Sequence, residues 1–268
     1  MYKRDWICTP EMVQLLIAHG ADVNVSTSPE RETPLMFSVD QGPEMVQLLL
    51  DAGAKIEAKC RYGEMTALHH AAHGINETSL RSAKLLLAKG AEVNLRSKLG
   101  YPLTHACSRG SAPMAEMLMK QGADVNPSGG VTPLMGAVRG QQVEMIKWLL
   151  DKGADPDALD QNGYTALMWA AEEYPGTDET GRDKIQLAAE ILTILVEAGA
   201  KVNARGADGK TALMCAAMES PPVLVRQLLD LGADAQLKDK QGKRAIDYAR
   251  ENSSLDGSPV LQQLKTVF

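Results

Sequence analysis

Short apolar runs separated by polar turns recur along the chain in two alternating kinds. The first is compact and rich in small side chains, as in Ala166-Leu167-Met168-Trp169-Ala170-Ala171. The second spaces its apolar residues for one helix face, as with Val46, Leu49 and Leu50. A Thr-Pro or Thr-Ala step opens the first kind; a hydroxyl caps free backbone N–H groups, and proline is tolerated in a first helical turn. Glycine closes the second kind, as expected where φ > 0 is required. Segments such as Ala-Asp-Val-Asn, at 21–24 and 123–126, then turn the chain. The pattern predicts pairs of short helices, A then B, repeated through an all-α chain.

The repetition is explicit. Pro-Glu-Met-Val-Gln-Leu-Leu occurs at 10–16 and again at 43–49, 33 residues on. A Gly-Ala pair follows each copy and recurs at Gly20, Gly53, Gly90, Gly122, Gly153, Gly199 and Gly232, with intervals of 33, 37, 32, 31, 46 and 33. A second marker runs in step: Thr33-Pro34-Leu35, Thr66-Ala67-Leu68, Thr132-Pro133-Leu134, Thr165-Ala166-Leu167 and Thr211-Ala212-Leu213. Tyr101-Pro102-Leu103 and Arg244-Ala245-Ile246 are its degenerate members. Two markers in one phase define a repeat architecture.

These units resemble the ankyrin repeat. Asp160, Gly163, Thr165, Leu167, Ala170 and Ala171 match its opening half, with Met168 where histidine is usual; Gly63, Leu68, His69, Ala71 and Ala72 match it again. Leu118, Gly122, Ala123, Asp124, Val125 and Asn126 match its closing half. The resemblance covers roughly residues 9–250 and implies one ankyrin-repeat solenoid over 1–268, its helix–turn–helix units joined by β-hairpin-like loops. About seven units are expected, at 9–27, 28–60, 61–97, 98–128, 129–159, 160–206 and 207–239, then a C-terminal cap at 240–268. The first unit lacks a recognisable helix A: residues 1–8 form an irregular cap, or sequence upstream has been removed. Two units are stretched, around Ile75–Ser82 and around Tyr174–Lys184. Both insertions are expected to lengthen the loop between helix A and helix B.

Composition sharpens this picture. Aromatic residues are only 4% of the chain while Met occurs 13 times, which suits closely packed helices. The net charge is −6, and residues 1–134 hold 13 basic and 14 acidic residues, so the C-terminal half carries most of the excess. No concentrated basic surface exists for nucleic acid or an anionic membrane. The four cysteines, Cys8, Cys60, Cys107 and Cys215, lie far apart, and free thiols point to a reducing, cytoplasmic setting. No apolar run approaches the ~20 residues of a membrane span.

Chemistry requires convergent groups. His69 and His73 are four residues apart on one helix and form the best metal candidate, but the resemblance makes His69 a structural residue that ties its turn. No nucleophile elbow and no phosphate-binding loop is present. Neither enzyme activity nor a cofactor is expected.

Ankyrin repeats imply binding of another protein through a concave groove of helix A faces and hairpin tips. The variable position after the structural histidine is Phe37, His70, His105, Gly136, Trp169, Cys215 and Tyr248 in successive units. Beyond it lie His73, Arg109, Arg139, Glu172, Glu173 and Met218; toward the tips lie Tyr62, Met65, Tyr101 and Tyr164. Aromatic and arginine side chains dominate interface energetics. The expected function is a non-enzymatic interaction module, a monomer when unbound, more specifically an inhibitor or immunity-type regulator of a partner enzyme. A multi-partner scaffold is the alternative, and metal or enzyme chemistry around His69 and His73 a minor one.

Overall fold

The computed structural model describes residues 9–26, 29–172 and 184–265. Among them every regular element is a helix, apart from isolated bridges at Glu32 and between Ser97 and Gly100. The chain divides into two compact units, Met1–Ala106 with Ser111–Ala123, and Cys107–Gly110 with Asp124–Phe268.

The first unit holds α1 (Pro10–Ala18), α2 (Pro34–Ser38), α3 (Pro43–Asp51), α4 (Ala67–His73), α5 (Glu77–Ala88), most of α6 (Pro102–Ser108) and α7 (Ala112–Lys120). α2 pairs with α3 and α4 with α5, and α5 continues the row of B helices to α7. The second unit holds α8 (Pro133–Arg139), α9 (Val143–Asp151), α10 (Ala166–Ala170), α11 (Lys184–Glu197), α12 (Ala212–Glu219), α13 (Pro222–Asp230), α14 (Ala245–Ala249) and α15 (Val260–Lys265). There the A helices stack as α8, α10, α12 and α14, and the B helices as α9, α11 and α13. α15 closes the end against α13 and α14.

Three local devices set this geometry. The threonine hydroxyls of Thr132, Thr165 and Thr211 accept from the backbone N–H three residues on. In other units the third helical residue reaches back to the cap N–H instead. His69 Nδ1 does so at 3.2 Å, Met36 Sδ at 3.5 Å, Thr104 Oγ1 at 3.2 Å and Asp247 Oδ2 at 2.9 Å. The following leucine, as at Leu68, Leu134 and Leu213, is buried, and so are Leu86, Leu149 and Leu228 on the B helices that pack against these A helices. Each such side chain contributes roughly 1.5–3 kcal/mol.

Successive units are stapled by the last residue of the Ala-Asp-Val-Asn segment. Asn126 donates Nδ2 to the Gly153 carbonyl at 2.8 Å and accepts the Asp155 N–H at 2.7 Å. Asn24 and Asn203 make the same two bonds, to Gly53 and Lys55 and to Gly232 and Asp234. Glu57 and Asp157 occupy the same place and only accept, from the N–H groups of Glu92 and Lys201.

The stretched unit at 61–97 differs from expectation. α4 ends at His73 and α5 begins at Glu77, so the extra residues extend helix B to 12 residues against nine in α3, α7, α9 and α13. Asn76 caps this longer helix by accepting the Ser79 N–H at 2.7 Å. Ser79 and Ser82 then bond back to Asp40 and to the Val39 carbonyl, so the added turn is anchored rather than looped out. The second insertion falls almost wholly outside the described residues, but α11, at 14 residues, is longer still.

Candidate functional site

In the first unit the A-helix face carries Phe37, exposed at α2, with His70 half-buried and His73 exposed on α4. Tyr62 is an exposed hairpin tip and Met65 is half-buried beside Thr66. Burial holds the His70 imidazole below its ordinary proton affinity, partly offset by the charge of Asp40.

Two expected contact residues are not surface residues. Tyr101 is only 7% exposed because it stands in the cap slot that threonine fills elsewhere, where Thr66, Thr132 and Thr165 are all buried. Its N–H is committed to Thr104 Oγ1. His105 is 8% exposed, wedged edge-on between His69 and His73 with ring centroids at 5.6 and 6.0 Å. Tyr248, in the same register as Trp169, is also buried, its hydroxyl donating to Asp239 and its ring flanked by the Lys210 and Lys243 ammonium groups.

His69 is fully buried, with Nδ1 facing the Thr66 N–H and hydroxyl. Desolvation lowers its pKa to about 4, so the ring is neutral at physiological pH. Among the described residues no three His, Cys, Asp or Glu side chains are placed to hold a metal ion. The metal reading of His69 and His73 therefore has no ligand set there.

The second unit brings its expected residues together. Trp169, half-buried on α10, donates Nε1–H to Asp160 Oδ2 at 3.2 Å, and the exposed Arg139 guanidinium lies 6.0 Å from the ring centroid. Asp160 is itself buried in its hairpin, where Oδ1 accepts the N–H groups of Asn162 and Tyr164 at 2.8 and 2.9 Å. Tyr164 is half-buried beside Cys215, Asp208 and Lys210; burial first, then the neighbouring Cys215 and the Asp208 carboxylate, raises its phenol pKa. Lys210 pairs with Asp208 at 2.9 Å. Glu172, just beyond α10, is exposed, and its carboxyl is held above the usual range by desolvation, then by Glu219, against the pull of Arg139. Met218 and Glu219, at the end of α12, are both exposed. Cys215 keeps a neutral thiol, its pKa pushed up to about 12 chiefly by burial.

Arg109 is exposed just beyond α6, while Glu173 lies outside the described residues. Sequence reasoning missed the anchoring role of Asp160 and the approach of Glu172 to Glu219. The signal for the first was available: an Asp opening each of two hairpins, with an aromatic nine residues later, at Asp160–Trp169 and Asp239–Tyr248.

Stacked, capped helix pairs with hairpin connections define a helical repeat protein of the ankyrin class. A family model described as "Ankyrin repeats (3 copies)" matches residues 7–97, 76–160, 103–180 and 184–264, and the chain belongs to the ankyrin-repeat family. Mouse ankyrin repeat and SOCS box protein 6 is 33% identical over 116 residues, 41% of this chain and 28% of that protein. Human SH3 and multiple ankyrin repeat domains protein 2 is 32% identical over 163 residues, 59% of this chain and 9% of its own length. Zebrafish (Danio rerio) neurogenic locus notch homolog protein 1 is 32% identical over 170 residues, 56% of this chain and 7% of that protein. The chain thus spans under a third of these relatives. Among solved structures, the human ASB11 ankyrin repeat domain superposes with a TM-score of 0.62 at 25% identity, covering 88% of this chain and all of that one. Ankyrin repeats are protein–protein interaction modules, generally without enzymatic activity. No helix among the described residues is long and apolar enough to cross a membrane.

Proposed function

We propose that the chain acts by occupying the surface of a partner protein through its A-helix faces and hairpin tips, regulating that partner, in the most specific form as an inhibitor of an enzyme. The carrying observation is the second-unit cluster, where Trp169 is held in place by Asp160 yet remains half-exposed. A ring fixed before the partner arrives loses little freedom on binding. Arg139, Tyr164 and Met218 extend the same face with the side-chain types that anchor interfaces. The unpaired thiols of Cys60, Cys107 and Cys215 support a reducing compartment.

A scaffold that engages two partners is favoured by one contrast. The first unit offers Phe37 with imidazoles, His70 and His73, whereas the second offers Trp169 with the carboxylates Glu172 and Glu219.

Affinity capture from the native cell, with the wild-type chain beside a Trp169→Ala/Tyr164→Ala double variant, tests the proposal. A partner retained by the first and lost from the folded second supports it. A partner retained equally by both removes this face from the binding surface.

A further inference from the structure

Composition alone leaves no concentrated basic surface, yet the fold gathers one from two hairpins of the second unit. Residues 201–210 and 234–244 together hold seven basic and three acidic residues in a chain of net charge −6. The preceding hairpin, 155–164, holds Asp155, Asp157 and Asp160 and no basic residue. Equivalent bonds fix the register of all three: Asp160, Gly206 and Asp239 each donate N–H to the carbonyl four residues on, at Tyr164, Lys210 and Lys243, over 3.0, 2.8 and 2.9 Å. The two basic hairpins also touch. The Lys240 N–H donates to the Asp208 carbonyl at 3.0 Å, and the Arg205 guanidinium donates to the Lys238 carbonyl.

The carboxylates there are bonded within their own hairpins. Asp234 accepts the Gln236 N–H, Asp208 takes the Lys210 N–H and ammonium, and buried Asp239 takes two N–H groups and the Tyr248 hydroxyl. The cations are less well matched. Lys201 pairs with Asp157 of the hairpin before. Arg205 and Arg244 bond neutral acceptors, the Lys238 carbonyl and the Gln236 amide, and keep their full charge. Lys238, Lys240 and Lys243 enter none of the ion pairs among the described residues. Lys210 and Lys243 share one ring, their ammonium groups 5.7 and 5.1 Å from the Tyr248 centroid. Like charges gathered by the backbone register, with the local carboxylates already bonded, are matched by an anion from outside.

The same register sets the shape of what fits. Leu159, Arg205 and Lys238, each one residue before the closing bond, are all exposed. The A helices α10, α12 and α14 that follow these hairpins stack on one another, and packed helices lie roughly 8–10 Å apart. An extended chain rises about 3.3 Å per residue, so side chains about three residues apart meet successive hairpins. Leu159 and Tyr164 give the row an apolar end. Glu172 and Glu219, at the far ends of their A helices from the hairpins, repel an acidic segment and keep it on the hairpin side. A long nucleic acid would carry its charge past the two hairpins against a chain of net charge −6 and is disfavoured.

Resting on the proposed function, we propose that the partner lays an extended acidic segment along the hairpins of the last two repeats. Its carboxylates meet Arg205 with Lys238 and Lys240 with Lys243, and an apolar side chain at one end meets Leu159 and Tyr164.

Selection of random linear peptides on the full chain tests this, with a Lys238→Gln/Lys240→Gln/Lys243→Gln variant beside it. Wild-type protein should enrich peptides carrying Asp or Glu about three residues apart. Their affinity should fall about eightfold on the variant, a factor of about two per cation, and should weaken on the wild type as salt rises from about 50 to about 500 mM. Thermal melting of the triple variant confirms that it is folded. Selected peptides without acidic residues, acidic peptides indifferent to the variant, or no enriched peptide at all would each overturn the proposal. So would a single-stranded DNA oligonucleotide of matched charge that binds as tightly as the peptides and is lost with the three lysines. Trp169→Ala separates the two readings: peptides that ignore the lysines but need Trp169 leave the binding face standing, and peptides that ignore all four residues remove both.

Discussion

Asp160 and Trp169, nine residues apart, are joined by an indole-to-carboxylate hydrogen bond of 3.2 Å. The same carboxylate closes the preceding hairpin through its other oxygen, so one residue shapes the loop and aims the ring. Asp239 and Tyr248 repeat the arrangement in the last unit. Gly206 and Cys215, in the same register, supply neither the carboxylate nor the ring.

Removing Asp160 should therefore loosen both loop and ring. Asp160→Ala is expected to lower stability by about 1.5–3 kcal/mol, the range for hydrogen bonds to a charged acceptor. Denaturant melting gives the loss, and a red-shifted Trp169 emission would report the released ring. Unchanged stability would mean that the carboxylate is dispensable.

The inter-repeat staple offers a second test. Asn126→Asp keeps an acceptor for the Asp155 N–H but removes the donor to the Gly153 carbonyl. It also sets a carboxylate beside that carbonyl and should cost about 1 kcal/mol. Asp157, which already lacks the donor, gives the reciprocal case: Asp157→Asn supplies one but forfeits the exposed Lys201 pair at 3.2 Å, and should change stability little. Melting curves of the two variants distinguish these outcomes.

Two glycines fail for different reasons when given a Cβ. Gly153 sits at φ +84° with open space around it, so Gly153→Ala pays only for backbone conformation, about 1–2 kcal/mol. Gly140 has an ordinary φ, but a Cβ there would lie 2.0 Å from the Ser108 carbonyl oxygen. Gly140→Ala forces the backbone apart and should cost more, about 3 kcal/mol. Equal losses in urea melts would contradict this assignment.

Acid should weaken the first unit through His69. Its folded-state pKa of about 4 lies below the ordinary value of 6.5, so the unfolded chain binds more protons between them. The stabilisation is fully present above pH 6.5 and is lost as pH falls toward 4, by an amount on the order of 3 kcal/mol. A His69→Gln variant should lose this part of the pH dependence, as measured by circular dichroism melts at pH 7 and pH 4.5.

The repeat period, the cap threonines and the helix-ending glycines were legible because each rests on local backbone chemistry. The fate of the added residues at 75–82 was not: whether they loop out or wind into α5 depends on Asn76 capping and on Ser79 and Ser82 meeting the neighbouring repeat. The residues expected to make contacts divide along the same line, by exposure. Phe37, Tyr62 and Trp169 could be placed by register alone. Tyr101 was misplaced because proline follows it as it follows Thr33, which makes it a cap-slot residue rather than a tip, and His105 because its burial comes from His69 and His73 on another helix. α1 shows how far sequence identity falls short of environment. Met12 is 52% exposed and Met45 4%, although the surrounding heptapeptides are identical, because α3 has α2 and α5 against it.

Partners are expected to be held by the A-helix and hairpin side of the repeats. Hydrogen–deuterium exchange on the complex with the captured partner measures it directly. Protection is expected at 160–172 and 207–219, with α9 and α13 unchanged; protection confined to the B helices, with 160–172 exchanging as in the free chain, would contradict it.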